Sequence, residues 1–401
     1  MVQWAMSSFA VPETAPTTRV PRADVDPERQ RLACAYRRTG RLLYLLSMPL
    51  TPLLLIVLFV SGFSTTRAAS LRGALGREWL VIALGASVVG GILFVVGLPL
   101  HVVRGYVLPK RYGLLRQTCR DWSLDLLKGL VLGGLFGLGA IEGLYWLIRT
   151  AGSVWWLYAG IALFLLSLLV GAVAPIVIAP LFFKFTPLPE GEVLDRMRHL
   201  ARRGGVRVRG IYRFDMSTKW AGANAAVFGF GPTRRIIVAD SMLDDYPPEG
   251  VEAVVAHELG HHVHGDMWIM TVVSGLTSLF GFAVVAQVFE HGWFGLAPTD
   301  VQSVASLPAF LLIYGVVTDL FGPLALALSR HAERRADAYA GTLSGHPEWL
   351  RDALIRLADE NLAELDPPRW EVLLRFSHPP VRERLATRAR DQLAASPASR
   401  P

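Results

Sequence analysis

The stretch Val254-Val255-Ala256-His257-Glu258-Leu259-Gly260-His261-His262 holds the residues of this chain best suited to chemistry. His257 and His261 are four residues apart, so on a helix both imidazoles lie on one face and reach a single metal ion. That donor pair points to zinc, one ion per chain. Glu258 sits beside the same face, placed to take a proton from a water that the metal activates rather than to bind the metal. The combination is that of a hydrolytic site. A merely polar His-rich helix fits less well, because Val251, Val254, Val255 and Ala256 precede the motif at helical spacing and Pro247-Pro248-Glu249 supplies a helix start.

A catalytic zinc takes three protein ligands and leaves a position open. The best third ligand is Glu333, in the charged helical segment Ser329-Arg330-His331-Ala332-Glu333-Arg334-Arg335-Ala336-Asp337. Asp337, one turn on, is placed to accept the ring N–H of a ligand histidine. Without the upstream motif this segment would read as an ordinary charge cluster at a membrane boundary. His262, His264 and His331 are ligands by type but read as solvated polar surface, His262 being one residue off the ligand face.

The elements that must position these groups are set by composition. Of the 401 residues 52% are hydrophobic and 18% charged, and the mean hydropathy is +0.38, values of a membrane protein. Uncharged or nearly uncharged runs long enough to cross a bilayer cover 42–63, 79–103, 129–148, 154–183, 267–289 and 301–328. Pro175 and Pro180 are expected to kink or end the fourth. If the last two spans pair as an antiparallel hairpin, its ends bring His257 and His261 to Glu333 at the membrane surface. Along a continuous helix the metal would lie about 9 Å from the fifth span. Glu142 and Asp319 fall inside spans, where a carboxylate is costly, so each should face water or a partner.

Between the fourth and fifth spans, 190–203 reads as an amphipathic helix, 206–214 as a strand and 225–239 as a hairpin turning at Gly231-Pro232. The expected fold is therefore mainly α, a polytopic helical membrane protein of about six spans with a small α+β metalloprotease unit. The expected division is a polar tail over 1–41, a four-span membrane domain over 42–183, a zinc metallopeptidase domain over 184–388 that includes the last two spans, and a C-terminal tail over 389–401. The net charge of +7 is spread as arginines flanking spans, which suits a topology signal and not a nucleic-acid surface. Six spans put the N-terminal tail, the 104–120 loop, the metal site and the C-terminus on one, cytoplasmic side; Arg67, Arg72 and Arg77 of the 64–78 loop dissent. Cys34 and Cys119 suggest no disulfide framework.

His257-Glu258-Leu259-Gly260-His261, Glu333-Arg334-Arg335-Ala336-Asp337-Ala338 and Ser377-His378-Pro379-Pro380 with Glu383-Arg384-Leu385 together resemble the type I CAAX prenyl proteases, integral-membrane zinc endopeptidases. Arg111-Tyr112-Gly113-Leu114, Ala179-Pro180-Leu181-Phe182, Phe185-Thr186-Pro187-Leu188-Pro189-Glu190-Gly191 and Asn224-Ala225 are similar to other pieces of that family. The resemblance implies His257, His261 and Glu333 as zinc ligands, Glu258 as general base and Asp337 as support. It implies His378 and Asn224 in the cleft, at the substrate or the developing oxyanion, and Arg384 as a substrate contact. It also implies a hollow helical chamber around the site, with water at Glu142 and Asp319. The eukaryotic members carry a further N-terminal span and a longer insertion before the metal helix, where this chain has the short Asp244-Asp245-Tyr246-Pro247-Pro248, and the compact Arg- and Ala-rich sequence looks bacterial.

The expected activity is hydrolysis of peptide bonds near the membrane surface, in a peptide or protein that is lipidated or membrane-anchored. An extended substrate could add as a strand to the edge of the 225–239 hairpin. Two alternatives remain at this point, a broad-specificity quality-control protease of membrane proteins and a non-catalytic transporter or scaffold with structural zinc. A structural site needs a fourth protein ligand, and none is as well placed as Glu333.

Overall fold

The computed structural model describes residues 24–386 except 230, 298 and 299. The C-terminal tail expected over 389–401, and residues 1–23 of the N-terminal one, lie outside the described residues. Among the described residues six helical stretches are long and apolar enough to cross a membrane: Pro27–Val60, Glu78–Arg111, Cys119–Thr150, Gly152–Leu181, Asp266–Glu290 and Val304–Ser344.

Helix α1 (Pro27–Ser47) starts fifteen residues before the first apolar run, where a flexible tail was expected. Asp26 caps it, its carboxylate accepting from the N–H groups of Glu28 and Arg29, with Pro27 in the first turn, where its missing N–H costs nothing. Long-range contacts then hold its polar half. Arg29 Nε donates to the Asp359 carbonyl, Gln30 Nε2 to that of Ala363, and Arg41 pairs with Glu364 and Glu371. Partners more than 300 residues away leave no periodic signal in the local sequence, which is why this half read as a tail.

Helix α2 (Leu50–Val60) completes the first span, and α3 (Phe63–Leu75) occupies the segment expected as a loop, with Arg72 paired to Glu78 at 3.0 Å. Helix α4 (Glu78–Val102) loosens into a π turn before the short α5 (Leu108–Arg111). Helices α6 (Cys119–Thr150) and α7 (Trp155–Val173) follow, and α7 gives way to a π turn over Ala174–Ile178 at Pro175, as its prolines foretold. Glu142 is half-buried on α6 and one of its carboxylate oxygens has no hydrogen bond; Asp319 is exposed.

The polar region builds a four-stranded sheet in the order β1-β2-β4-β3, from Phe185–Pro187, Gly210–Phe214, Ala225–Phe228 and Arg235–Ala239. The hairpin β3–β4 is antiparallel as expected, whereas β2 runs parallel to β4 and β1 extends the sheet beyond it. Helix α8 (Glu192–Arg203) packs against α10 and adds Leu194, Met197 and Leu200 to the core shared with the sheet. The short α9 (Asp240–Asp245) leads to α10 (Pro248–Val263), which carries the histidine motif. Helix α10 is buried on nearly every face, with Val251, Val255, Ala256 and Leu259 wholly enclosed; each large aliphatic side chain so buried contributes roughly 1.5–3 kcal/mol.

The metal-motif helix does not run on into the fifth span. It stops at Val263, Gly265 takes a left-handed φ of 70°, and α11 (Asp266–Glu290) begins anew. Only glycine adopts that conformation without strain, and the turn carries Asp266 back beneath the motif. The sixth span starts in irregular turns and then forms one helix, α12 (Leu307–Ser344). At 38 residues it is about 57 Å long, more than a bilayer core needs, so the same rod that spans also carries Glu333 and Asp337 up to α10. Helices α13 (Pro347–Glu360) and α14 (Arg369–Arg375) close the fold, α13 adding Leu350 and Leu354 to the core around α10.

Candidate functional site

Helices α10 and α12 cross closely at Gly260, where a Cβ would stand 3.1 Å from the Ala336 Cα and 3.2 Å from the Tyr339 ring. That approach sets Glu333 and Asp337 against the histidine face of α10. His257 Nε2 and His261 Nε2 are 3.3 Å apart, and the Glu333 carboxylate lies 3.3 Å from the first and 3.4 Å from the second. The three donor atoms fall within 4.8 Å of one another and could hold one metal ion. His257 and Glu333 are almost wholly buried.

Each imidazole is turned by a carboxylate behind it. Asp337 Oδ1 is 2.9 Å from His257 Nδ1, and Asp266 Oδ2 is 2.9 Å from His261 Nδ1. Arg384 forks onto Asp337 with contacts of 2.9 and 2.6 Å, and Arg335 pairs with Asp266. With a carboxylate 2.9 Å behind each Nδ1, the two Nε2 atoms face each other across 3.3 Å, an arrangement that repels itself unless a cation or a proton sits there. Burial works against a proton on His257, but the contacts to Asp337 and Glu333 outweigh it and raise its pKa to about 9. A metal entering the site must displace that proton. Burial pushes Glu333 and Asp337 upward, and the hydrogen bonds from the histidines, with Arg384 added at Asp337, bring both well below the usual carboxylate range. For Glu258 burial wins: its carboxyl is raised, with His257 and His261 pulling the other way.

Glu258 and His257 line a cavity of about 150 Å³ together with Asn224, Ala225, His378 and Arg384. Asn224, His378 and Arg384 also line a second cleft of about 640 Å³ that runs past Ser377, Pro379 and Pro380. His378 Nε2 is 3.1 Å from Glu333 Oε1, and its Nδ1 is 2.7 Å from the Ser377 hydroxyl. The fold thus gathers all eight residues singled out from the sequence: His257, Glu258, His261, Glu333, Asp337, Asn224, His378 and Arg384.

A model of peptidase family M48 matches residues 187–390, and one for the CAAX prenyl protease N-terminal region, with five membrane helices, matches residues 19–184. The chain belongs to peptidase family M48. This M48 chain is a multi-pass membrane metalloendopeptidase, mainly helical with a small sheet. It is 28% identical over 383 residues to an uncharacterized metalloprotease, YhfN, of Bacillus subtilis, an alignment covering 94% of this chain and 89% of that one. It is 30% identical to the CAAX prenyl protease 1 homolog of Oryza sativa over 292 residues, 72% of this chain and 68% of the other. The crystal structure of S. mikatae Ste24p has the same fold, with a TM-score of 0.75 at 22% identity over 92% of this chain and 91% of that one.

Sequence reasoning missed two parts of this M48 site. Asp266, the last polar residue before the fifth span, is not singled out by the sequence; its signal is an acid just past a glycine, five residues after His261. His262 is half-buried and not solvated surface, because its Nε2 meets the Val227 carbonyl at 2.9 Å and ties α10 to β3.

Proposed function

We propose that this M48 peptidase works with one zinc ion held by His257, His261 and Glu333 and cleaves peptide bonds of lipidated or membrane-anchored proteins at the cytoplasmic face of a bacterial cell membrane. The observation that carries the reading is the convergence of two imidazole nitrogens and a carboxylate beside a cavity that His257 and Glu258 line. Two nitrogens and one oxygen are a donor set of catalytic-zinc type. A bound zinc would supply Lewis acidity to a water and to the scissile carbonyl. Glu258 takes the water's proton on its carboxylate and delivers it to the departing amine nitrogen. His378, whose Nδ1 lies 2.7 Å from the Ser377 hydroxyl, donates a hydrogen bond from Nε2–H to the carbonyl oxygen as negative charge grows there. Asp337, held by Arg384, and Asp266, held by Arg335, keep both ligand imidazoles turned inward.

Asn224 and the outer edge of β3 receive the peptide. Strand β3 is at the end of the sheet, and the Asn224 carbonyl accepts from Ala239 N–H on the β4 side. By alternation Ala225 and Val227 face outward, where the Val227 carbonyl already takes His262 and Ala225 stays available to an added strand. The four spans over 42–183 would shelter the peptidase unit over 184–388. Arginine and lysine at 104, 110, 111, 116 and 120, beyond α4, support a cytoplasmic site.

The supporting carboxylates give a first expected result. Asp266→Asn keeps the shape beside His261 but removes the charge, and zinc affinity in a competitive chelator titration should fall roughly 10–100-fold. An unchanged affinity would mean that Asp266 only anchors α11. For substrate class, a model peptide carrying a prenyl or acyl chain should show an apparent KM about tenfold lower than the bare peptide in liposomes, compared at equal membrane-bound concentration. Equal KM values under that normalisation would leave the lipid as a delivery device and favour the broad-specificity quality-control reading.

A further inference from the structure

The 640 Å³ cleft continues beyond the catalytic cavity to a group of charges that the mechanism does not use. Arg37 of α1 and Arg375 of α14 line the cleft but not the cavity around Glu258. Three guanidiniums, those of Arg37, Arg41 and Arg375, stand here against two carboxylates. Glu371 is almost wholly buried and serves both Arg41, at 3.1 Å, and Arg375, at 2.7 Å; Glu364 serves Arg41. Arg37 is the one left over. Among the described residues it has no carboxylate partner, and its Nε is buried without a hydrogen bond. A guanidinium that lines the cleft without a carboxylate to neutralise it favours an anion there. Arg375 is hemmed in as well: its guanidinium lies 4.1 Å from the Tyr44 ring, and burial, then the repulsion of Arg104 and Arg37, depress its pKa against the pull of Glu371. The strap that holds the polar half of α1 to 359–371 fixes Arg37 in the cleft wall.

Resting on the peptidase reading above, we propose that Arg37, supported by Arg375, is a specificity-determining subsite that binds a carboxylate of the substrate peptide. An extended peptide whose scissile bond lies beside Glu258 and His378 continues along the same cleft, so a carboxylate at its C-terminus or on an acidic side chain reaches the arginines. A guanidinium fork matches a carboxylate in plane and charge, and Arg37 has donors to spare.

The test uses the full-length, metal-loaded protein in detergent and three versions of one cleavable model peptide: with a free terminal carboxylate, with a terminal amide, and with a free terminus but its acidic side chains changed to amides. In the wild type, losing the recognised carboxylate should lower kcat/KM by about 10–100-fold, and which peptide suffers tells whether the terminus or a side chain is read. In Arg37→Gln that preference should shrink to less than about threefold while the neutral peptide is cut as well as before, and Arg37→Lys should keep part of it. If the wild type cuts all three equally, or if Arg37→Gln slows all three alike, the proposal is overturned, and a bilayer phosphate becomes the better occupant. Should Arg37→Gln not fold, the wild-type comparison still decides. A metal-loaded protein that cuts none of the peptides would overturn the peptidase reading itself, a separate failure.

Discussion

Glu258→Gln is expected to retain its zinc and lose turnover. The amide keeps the size and place of the carboxylate, so the cavity lined with Asn224, Ala225 and His378 should persist, but it cannot accept the water's proton. General-base catalysis alone accounts for roughly 10²–10⁴-fold, and the loss should exceed that range, because in this scheme Glu258 both takes the water's proton and carries it to the leaving amine. KM should change little, since Glu258 makes no binding contact in this scheme. Metal content by atomic spectrometry and single-turnover kinetics on one preparation separate the two quantities. Near-normal turnover in a zinc-loaded variant would remove Glu258 from the chemistry and return the structural-zinc reading to the lead.

Glu333→Ala is expected to lose both metal and activity. It deletes the carboxylate that, alone among the described residues, faces both Nε2 atoms, so the cost should exceed the roughly 10–100-fold that loss of a supporting partner brings. His262→Ala and His264→Ala should keep stoichiometric zinc. His262 spends its ring on Val227, and its loss should show instead in the seating of β3 and hence in KM. Zinc retained by Glu333→Ala but lost from His264→Ala would overturn the ligand assignment.

Much of this was legible in the sequence for local reasons. The spans show themselves because a helix in lipid must be apolar over about 20 residues, a property of composition. The histidine pair shows itself because residues four apart share a face on any helix. The strands 225–228 and 235–239 are betrayed by a Gly-Pro turn between two apolar runs, the second of them β-branched. What stayed hidden depends on partners distant in sequence. The polar half of α1 is a helix because Asp359, Ala363, Glu364 and Glu371 receive it. The parallel pairing of β2 with β4, and the shortening of β2 to Gly210–Phe214, follow from the register of the sheet.

The sequence by itself determined the kind of machine: a polytopic membrane protein with a histidine-motif helix, a glutamate beside the histidines and a further carboxylate on a later helix. Only the tertiary structure decided how those parts meet. Gly260 reads as one small residue in a motif, yet its missing Cβ is what lets α12 approach closely enough for Glu333 and Asp337 to face His257. Gly265 and Asp266 read as a helix running on, yet the left-handed turn redirects the chain and sets a second carboxylate behind His261. Spacing along a helix fixes which side chains share a face, because 3.6 residues per turn is a property of the backbone; which other element reaches that face is fixed by packing, which no local pattern encodes.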